Sequence, residues 1–232
     1  MPLPTFGFSD TNTVSVPQPN RPAAGEVAVH LNPPTRERRR FDKAAMPEDI
    51  ARKATRDARC ETQLAYDCWW WWNDDVAVTW GETTWVAIRV EAVHVELFCH
   101  ATLFLPANAS PALIAHEEGH AELAEHVAGA SIDAARAIAQ DLVGRWFVGR
   151  GSTAAEAANA AASIAEDAFG REWNRIAVEP LAAAHRQYDA VTDHGQRATP
   201  PAAAVRIAID SVHREAATSP TGHEPLRSDG DR

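Results

Sequence analysis

A chain of 232 residues has room for one ordinary domain with tails, and 45 % apolar with 23 % charged residues suits a globular protein with its own buried core. Its formal net charge of −10 excludes a nucleic-acid binder, which needs a surplus of Lys and Arg to neutralise phosphates. No apolar run approaches the roughly 18 residues of a membrane helix. The start, MPLPTFGFSDTNT, lacks the basic and apolar segments of a secretory signal, so the default expectation for the compartment is cytoplasmic.

Residues 1–42 carry prolines at 2, 4, 17, 19, 22, 33 and 34 with few periodic apolar positions, and are expected to form a disordered arm. Its basic run RERRR, residues 36–40, reads as a solvated linker. From Pro47, PEDIARKATRDARCETQLAYD reads as a polar helix with acids early and bases late, the order the helix dipole favours. CWWWWNDD then sets Trp69, Trp70, Trp71 and Trp72 in a row; strand alternation would send two into the core and two to a surface.

VAVTW at 76–80 and the stretch 84–105 are rich in β-branched and aromatic residues and nearly free of breakers, so they read as antiparallel strands. In the longer one Val93, Val95, Leu97, Cys99, Ala101 and Leu103 share one face, and His94, Glu96, Phe98 and His100 the other, which marks a sheet covered on one side. His94 and His100 lie about 20 Å apart at strand rise and cannot share an ion. Cys60, Cys68 and Cys99 make no disulfide framework and fit no zinc spacing, although a Cys60 to Cys68 bridge is open to them in an oxidising compartment.

Ser110 before Pro111 is a good N-cap and first helical residue. It launches the helix that contains LIAHEEGHAELAEH, residues 113–126. After a joint at Gly129 and Ser131, IDAARAIAQDLVGRWFV reads as a second helix, ended by Gly149 and Gly151. Thr153 with Glu156 has capping-box spacing and opens an alanine-rich helical region to about Asp193, bent at Gly170 and Pro180. Residues 198–232 form a tail with one short helix near 202–217, its last dozen residues disordered.

The chemistry concentrates in the helix after Ser110. His116 and His120 are one turn apart, so two imidazoles can converge on a single Zn2+. Glu117 lies about 100° round from His116, beside the metal, where it can take a proton from water. Leu113, His116, His120, Leu123, Ala124 and Val127 form one stripe, with Glu118, Glu122 and Glu125 on the opposite side. The histidines therefore face the core, where an unliganded pair would lose solvation without return. His126 sits where metzincins place a third ligand, but Leu123 stands in place of their chain-turning glycine. A continuing helix carries His126 about 9 Å along and 120° round from His120, past the metal.

A third ligand must come from downstream, and QYDAVTDHG, residues 187–195, is the candidate region. Asp189 and Asp193 oppose the dipole near a helix C-terminus, which calls for another partner. Gly195 suits a C′ position and would free His194 to swing toward a neighbouring element. His185 shares a face with Asp189 but reads as a surface residue.

AHEEGHAELAEH followed about sixty residues later by YDAVTDHG resembles a bacterial family of predicted zinc-dependent proteases, domain of unknown function 922, within the HExxH superfamily. The likeness covers roughly residues 65–197 and implies a β-rich segment before an HExGH helix, with a YDxxTxHG motif closing the domain. The chain departs from it in showing no export signal, where family members are secreted, and in following HG with QRATPP. The resemblance places His194 in the family's closing motif.

The expectation is one α+β domain of zincin type over residues 43–197, a small, mostly antiparallel sheet beside the HExxH helix. It would hydrolyse a protein or peptide substrate, with His116, His120 and His194 on Zn2+, Glu117 as the base and Tyr188 donating to the oxyanion. Asp189 would orient a ligand histidine or replace His194. The strand over 91–105 would hold the substrate backbone, as an edge strand does in zincins. The rival expectation is a non-catalytic zinc module that holds a peptide or glycan on the Trp69 to Trp72 cluster. No nucleic acid and no membrane span are expected, and oligomeric state is left open.

Overall fold

The structure, a computed structural model, describes residues 19–42, 58–197 and 199–218. Two strands form inside the arm that was expected to be disordered: β1 (Val27–Leu31) and β2 (Thr35–Phe41). Two much longer strands follow, β3 (Arg59–Trp80) and β4 (Thr83–Pro106). The polar helix expected over 47–67 is therefore strand from Arg59 onward, and residues 47–57 lie outside the described residues, as do 1–18 and 219–232. The helical reading weighed Pro47 and charge order; alternation in Thr62, Leu64 and Tyr66 faces the helix side once β4 is present to pair with.

β4 is the centre of a five-stranded sheet. β3 runs antiparallel along one edge of it, from Arg59 opposite Phe104 to Trp80 opposite Thr83, with irregularities after Trp71 and Asp74. Gly81, at φ +61°, takes the first position of the two-residue turn between them, where a side chain would be strained. Three short strands fill the other edge end to end. β5 (Trp146–Gly151) pairs antiparallel with residues 84–89, β1 parallel with 93–97 and β2 parallel with 100–106.

The helices are α1 (Pro111–Ala130), α2 (Ile132–Leu142), α3 (Ala154–Trp173), α4 (Glu179–Thr192) and α5 (Pro201–Thr218). Ser110 caps α1 as expected, its hydroxyl accepting from the Leu113 N–H at 3.2 Å. Thr153 likewise accepts from Glu156 N–H at the start of α3, while the Glu156 carboxylate turns to Ser152. The helix expected over 132–148 stops at Leu142, where Val143 is extended and Gly144 takes φ +81°; Trp146, Phe147 and Val148 then alternate outward and inward as strand. A π-helical turn, Asn174–Val178, separates α3 from α4 between Gly170 and Pro180.

The described helices pack on one side of the sheet. Val86, Ile88, Val90, Val93, Val95 and Leu97 pack beneath α2 and α3, while Cys99 packs with α1, α4 and α5. Ala101, Leu103 and Leu105 meet the start of α1. Leu97, Leu103 and Leu105 are at most 1 % exposed and each contributes roughly 2 kcal/mol by leaving water. A Cβ on Gly149 would stand 2.1 Å from the Ala157 carbonyl oxygen, so α3 can lie directly on the backbone of β5 only because that residue is glycine.

Of the four consecutive tryptophans, Trp70 meets Phe169 on the helix side with Trp72 beside it, and Trp69 and Trp71 face away. The alternation is as expected, but Trp69 and Trp71 are only 7 % exposed and offer no open binding cluster. The basic run 36–40 is no linker. Arg36 pairs with Glu118 and Glu125 of α1 at 2.8 and 2.5 Å, and Arg38 with Glu118 at 2.6 Å. Strand alternation on β2 thus meets the acidic face of α1. None of the three cysteines is in a disulfide; Cys60 and Cys68 stand eight positions apart on one extended strand, about 26 Å, far beyond disulfide reach. No helix among the described residues is long and apolar enough to cross a membrane.

Candidate metal centre

α1 carries His116 and His120 into the protein at 5 % and 8 % exposure, with ring centroids 4.9 Å apart and planes nearly perpendicular. α4 crosses beside them and presents Asp189. Its Oδ1 lies 3.3 Å from His116 Nε2, 3.2 Å from His120 Nε2 and 3.3 Å from His194 Nδ1. The ligand atoms of His116, His120 and Asp189 all fall within 4.8 Å of one another.

These separations carry information. Charge-assisted hydrogen bonds between imidazolium and carboxylate close to about 2.7–2.9 Å. A cation about 2.0–2.1 Å from each of its ligands instead spaces them about 3.3–3.4 Å apart along a tetrahedral edge. The contacts to Asp189 match the second spacing, and two buried imidazoles with one carboxylate are a donor set that could hold a metal ion. Burial raises the Asp189 carboxyl, but the His116, His120 and His194 imidazoles gathered on it outweigh burial and hold the group well below the usual carboxylate range. Asp189 is therefore an anion ready for a cation.

Local chemistry explains why the chain takes this shape. Tyr188, wholly buried, donates its hydroxyl to the His116 carbonyl oxygen at 3.2 Å and stacks on the His116 ring with centroids 5.1 Å apart. A Cβ on Gly119 would stand 2.1 Å from that hydroxyl, so the glycine between the histidines is the gap that lets α4 approach α1. Thr192 donates back to the Tyr188 carbonyl oxygen at 2.8 Å. Asp193, His194 and Gly195 then take left-handed φ of 50°, 53° and 82° and swing the chain back over the site. Gly195 ends up so close that a Cβ would meet His116 Cγ at 3.1 Å.

Two of the expected roles change. Tyr188 was expected to stabilise an oxyanion, but its hydroxyl is committed to the α1 backbone and cannot reach a substrate; burial, then Glu117, Glu122 and Asp189, push its phenol up to about 12. The strand over 91–105 was expected to hold a substrate, but its backbone is paired on both edges, with β3 on one side and with β1 and β2 on the other. The strand that reaches the site is β3, at its first residues.

His116, Glu117, His120, His185, Asp189 and His194 line a cavity of about 690 Å3, joined by Ala58, Arg59 and Cys60 at the start of β3 and by Ser110 and Leu113. That volume lies within the range of small-ligand sites. Glu117 is 4 % exposed and shares this cavity with the histidines. His194 is largely exposed, at 53 % of its side chain, and touches the group through Asp189. His126 is exposed on the uninterrupted end of α1 and does not line the cavity, as expected. His94 and His100 stand on the far face of the sheet, bonded to Glu96 and Thr35.

His185, expected at the surface, is the residue that sequence reasoning missed. Its Nδ1 lies 2.8 Å from His120 Nδ1, and its Nε2 lies 2.8 Å from Thr62 Oγ1 on β3. A cation held by His120 Nε2 would leave the proton on Nδ1, which would donate to His185 Nδ1, and His185 would then carry its own proton on Nε2 and donate to Thr62. Burial, and after it His120, push the His185 imidazole down to about 4, which keeps it the neutral acceptor this chain requires. The available signal was its spacing: His185 and Asp189 are four apart on α4, as His116 and His120 are on α1. His116 Nδ1 is buried with no hydrogen-bond partner among the described residues. No family model matches the chain, and neither a curated protein nor a solved structure does.

Proposed function

We propose that this chain is a zinc-dependent peptidase of zincin type. The observation that carries the reading is the convergence of His116 Nε2 and His120 Nε2 on Asp189 Oδ1 at 3.3 and 3.2 Å, with a buried glutamate one residue after the first histidine in the same cavity. Two imidazoles and a carboxylate suit zinc better than a hard oxygen-seeking ion or a thiolate-seeking one. Zinc bound there would supply Lewis acidity toward a scissile carbonyl.

The chain's own residues supply the rest. Glu117 accepts a proton from the attacking water at its carboxylate and returns it to the departing amine. His120 is held in one tautomer by His185 and Thr62. His194 faces the cavity from the outer side as a hydrogen-bond donor to the substrate. Asp189 takes the third ligand position in place of His194, because its oxygen is the atom on which the imidazoles converge. Among the described residues no strand pairs with the outer edge of β3, and its first residues line the cavity, so an extended peptide has a free edge beside the metal ligands.

A second reading has one observation in its favour. His194 Nδ1 is 3.3 Å from Asp189 Oδ1, so it could complete a closed four-ligand structural site. Glu117→Gln in zinc-loaded protein separates the two. The peptidase reading expects a loss of at least about 100-fold in cleavage of a denatured-protein substrate, with zinc content unchanged. Zinc-loaded wild-type protein that cleaves no such substrate, or a variant as active as wild type, refutes it.

A further inference from the structure

Helices cover one face of the sheet, and the hairpin end of the other face is apolar and open. Val86, Ile88 and Val90 turn toward α3 and are at most 1 % exposed. Their neighbours turn away. There Trp80 is 85 % exposed, Val76 51 %, Val78 54 %, Trp85 43 %, Trp146 49 % and Val148 52 %. The register makes these one patch across β3, β4 and β5: Val78 lies opposite Trp85, Val76 opposite Ala87, and Ala87 opposite Val148.

With a full aromatic side chain presenting roughly 150–250 Å2, the exposed apolar surface is on the order of 600 Å2, at the top of what a monomer usually leaves open. Arg89 and Arg150 lie on the same face, and their aliphatic stems bring the area toward the roughly 800 Å2 that each partner gives to a standard protein interface. Such a surface suits another sheet, since two sheets pack face to face through interdigitating side chains.

Charge points to the same occupant. Glu82 is exposed at the tip of the hairpin, and Arg89 lies at the far end of the patch, about 23 Å away at strand rise. A two-fold axis lying in the interface, across the strands at the middle of the patch, brings the tip of one copy to the base of the other, acid to base. A lipid bilayer is a poorer occupant, because the hairpin would enter it with Glu82 leading, and a net charge of −10 opposes anionic headgroups.

We propose that the chain dimerises through this face, with Trp80, Trp85 and Trp146 of each copy packed against the other across a two-fold axis. The metal cavity lies at the opposite end of β3, about twenty residues from Trp80, and stays open in such a dimer. Sedimentation velocity on the full chain over about 1–100 µM, the range where interfaces of this size are measurable, tests the proposal. Wild type and the remote surface variant Ile164→Ser should sediment as dimers. Trp80→Ser with Val148→Glu should raise the dissociation constant about 30-fold or more, with an unchanged circular-dichroism spectrum. If that pair fails to fold, Glu82→Arg alone should weaken the dimer and Glu82→Arg with Arg89→Glu restore it. A wild-type monomer at the top concentration overturns the proposal, as does a dimer indifferent to both sets of variants. So does a monomer that floats with phosphatidylcholine–phosphatidylglycerol vesicles in a Trp80-dependent way, which would assign the patch to membranes.

Discussion

Replacing His185 with leucine tests the reading of the metal centre without touching a ligand. The substitution removes the acceptor 2.8 Å from His120 Nδ1 and the donor to Thr62 Oγ1. His120 is 8 % exposed, so water does not readily replace the lost partner, and an unsatisfied buried donor costs about 1–3 kcal/mol. That penalty falls on the metal-bound form, in which the Nδ1 proton is obligatory, and converts to a zinc affinity weaker by about 10- to 100-fold. Glutamine at the same position offers an amide oxygen as acceptor and should recover most of the loss. The assay is competition for zinc against a chromophoric chelator at neutral pH, with a melting curve of the metal-free protein to separate affinity from folding. Zinc affinity within about 2-fold of wild type in His185→Leu would show that His120 is not oriented through Nδ1, and the assigned tautomers would fall with it.

Three other predictions follow from the same geometry. Asp189→Ala should abolish tight zinc binding, and the stabilisation of the protein by added zinc with it, whereas His194→Ala should keep zinc and lose activity; metal analysis after dialysis decides, and the opposite pattern makes His194 the third ligand. Gly119→Ala drives a methyl group to within 2.1 Å of the Tyr188 hydroxyl and should cost about 1–3 kcal/mol, a melting temperature lower by about 3–10 °C; an unchanged melting temperature would mean α4 does not press on α1 there. Cys60 is pushed up to about 12, first by burial and then by Glu117 and Glu118. At pH 8 its thiolate fraction is then about a thousandfold below that of an unfolded cysteine, so iodoacetamide should label it slowly in native protein and faster as pH rises; labelling at the unfolded rate, read by mass spectrometry, contradicts that environment.

What was legible in the amino-acid order was local. The cap at Ser110, the i, i+4 histidines of α1, the alternation of β4 from Val93 to Leu103 and the turn at Gly195 each depend on residues within one or two turns of one another. The YDAVTDHG motif was legible as a unit for the same reason, though not the division of labour inside it. Tertiary packing made that division. Tyr188 fits the gap at Gly119 and so sets the depth of α4 against α1, which brings Asp189, rather than His194 beyond the end of the helix, onto the point where both imidazoles aim.

The largest departures from expectation have one physical cause. Val27, Val29 and Leu31 alternate over only five residues amid prolines, residues 35–41 lack an apolar pattern, and residues 59–67 end a segment whose charge order from Pro47 suits a helix, yet 27–31, 35–41 and 59–67 are strand, because the long edges of β4 offer hydrogen bonds that pay no regard to local propensity. Arg36 looked solvated until β2 was laid beside α1, where Glu118 and Glu125 wait seven residues apart on one helical face. His185 looked peripheral until Thr62 arrived from a strand 123 positions earlier. Sequence by itself determined which residues could bind a metal and which segments could be helix or strand through short-range sterics; the tertiary structure decided which of them meet, because backbone pairing and close packing reward contacts that no window along the chain contains.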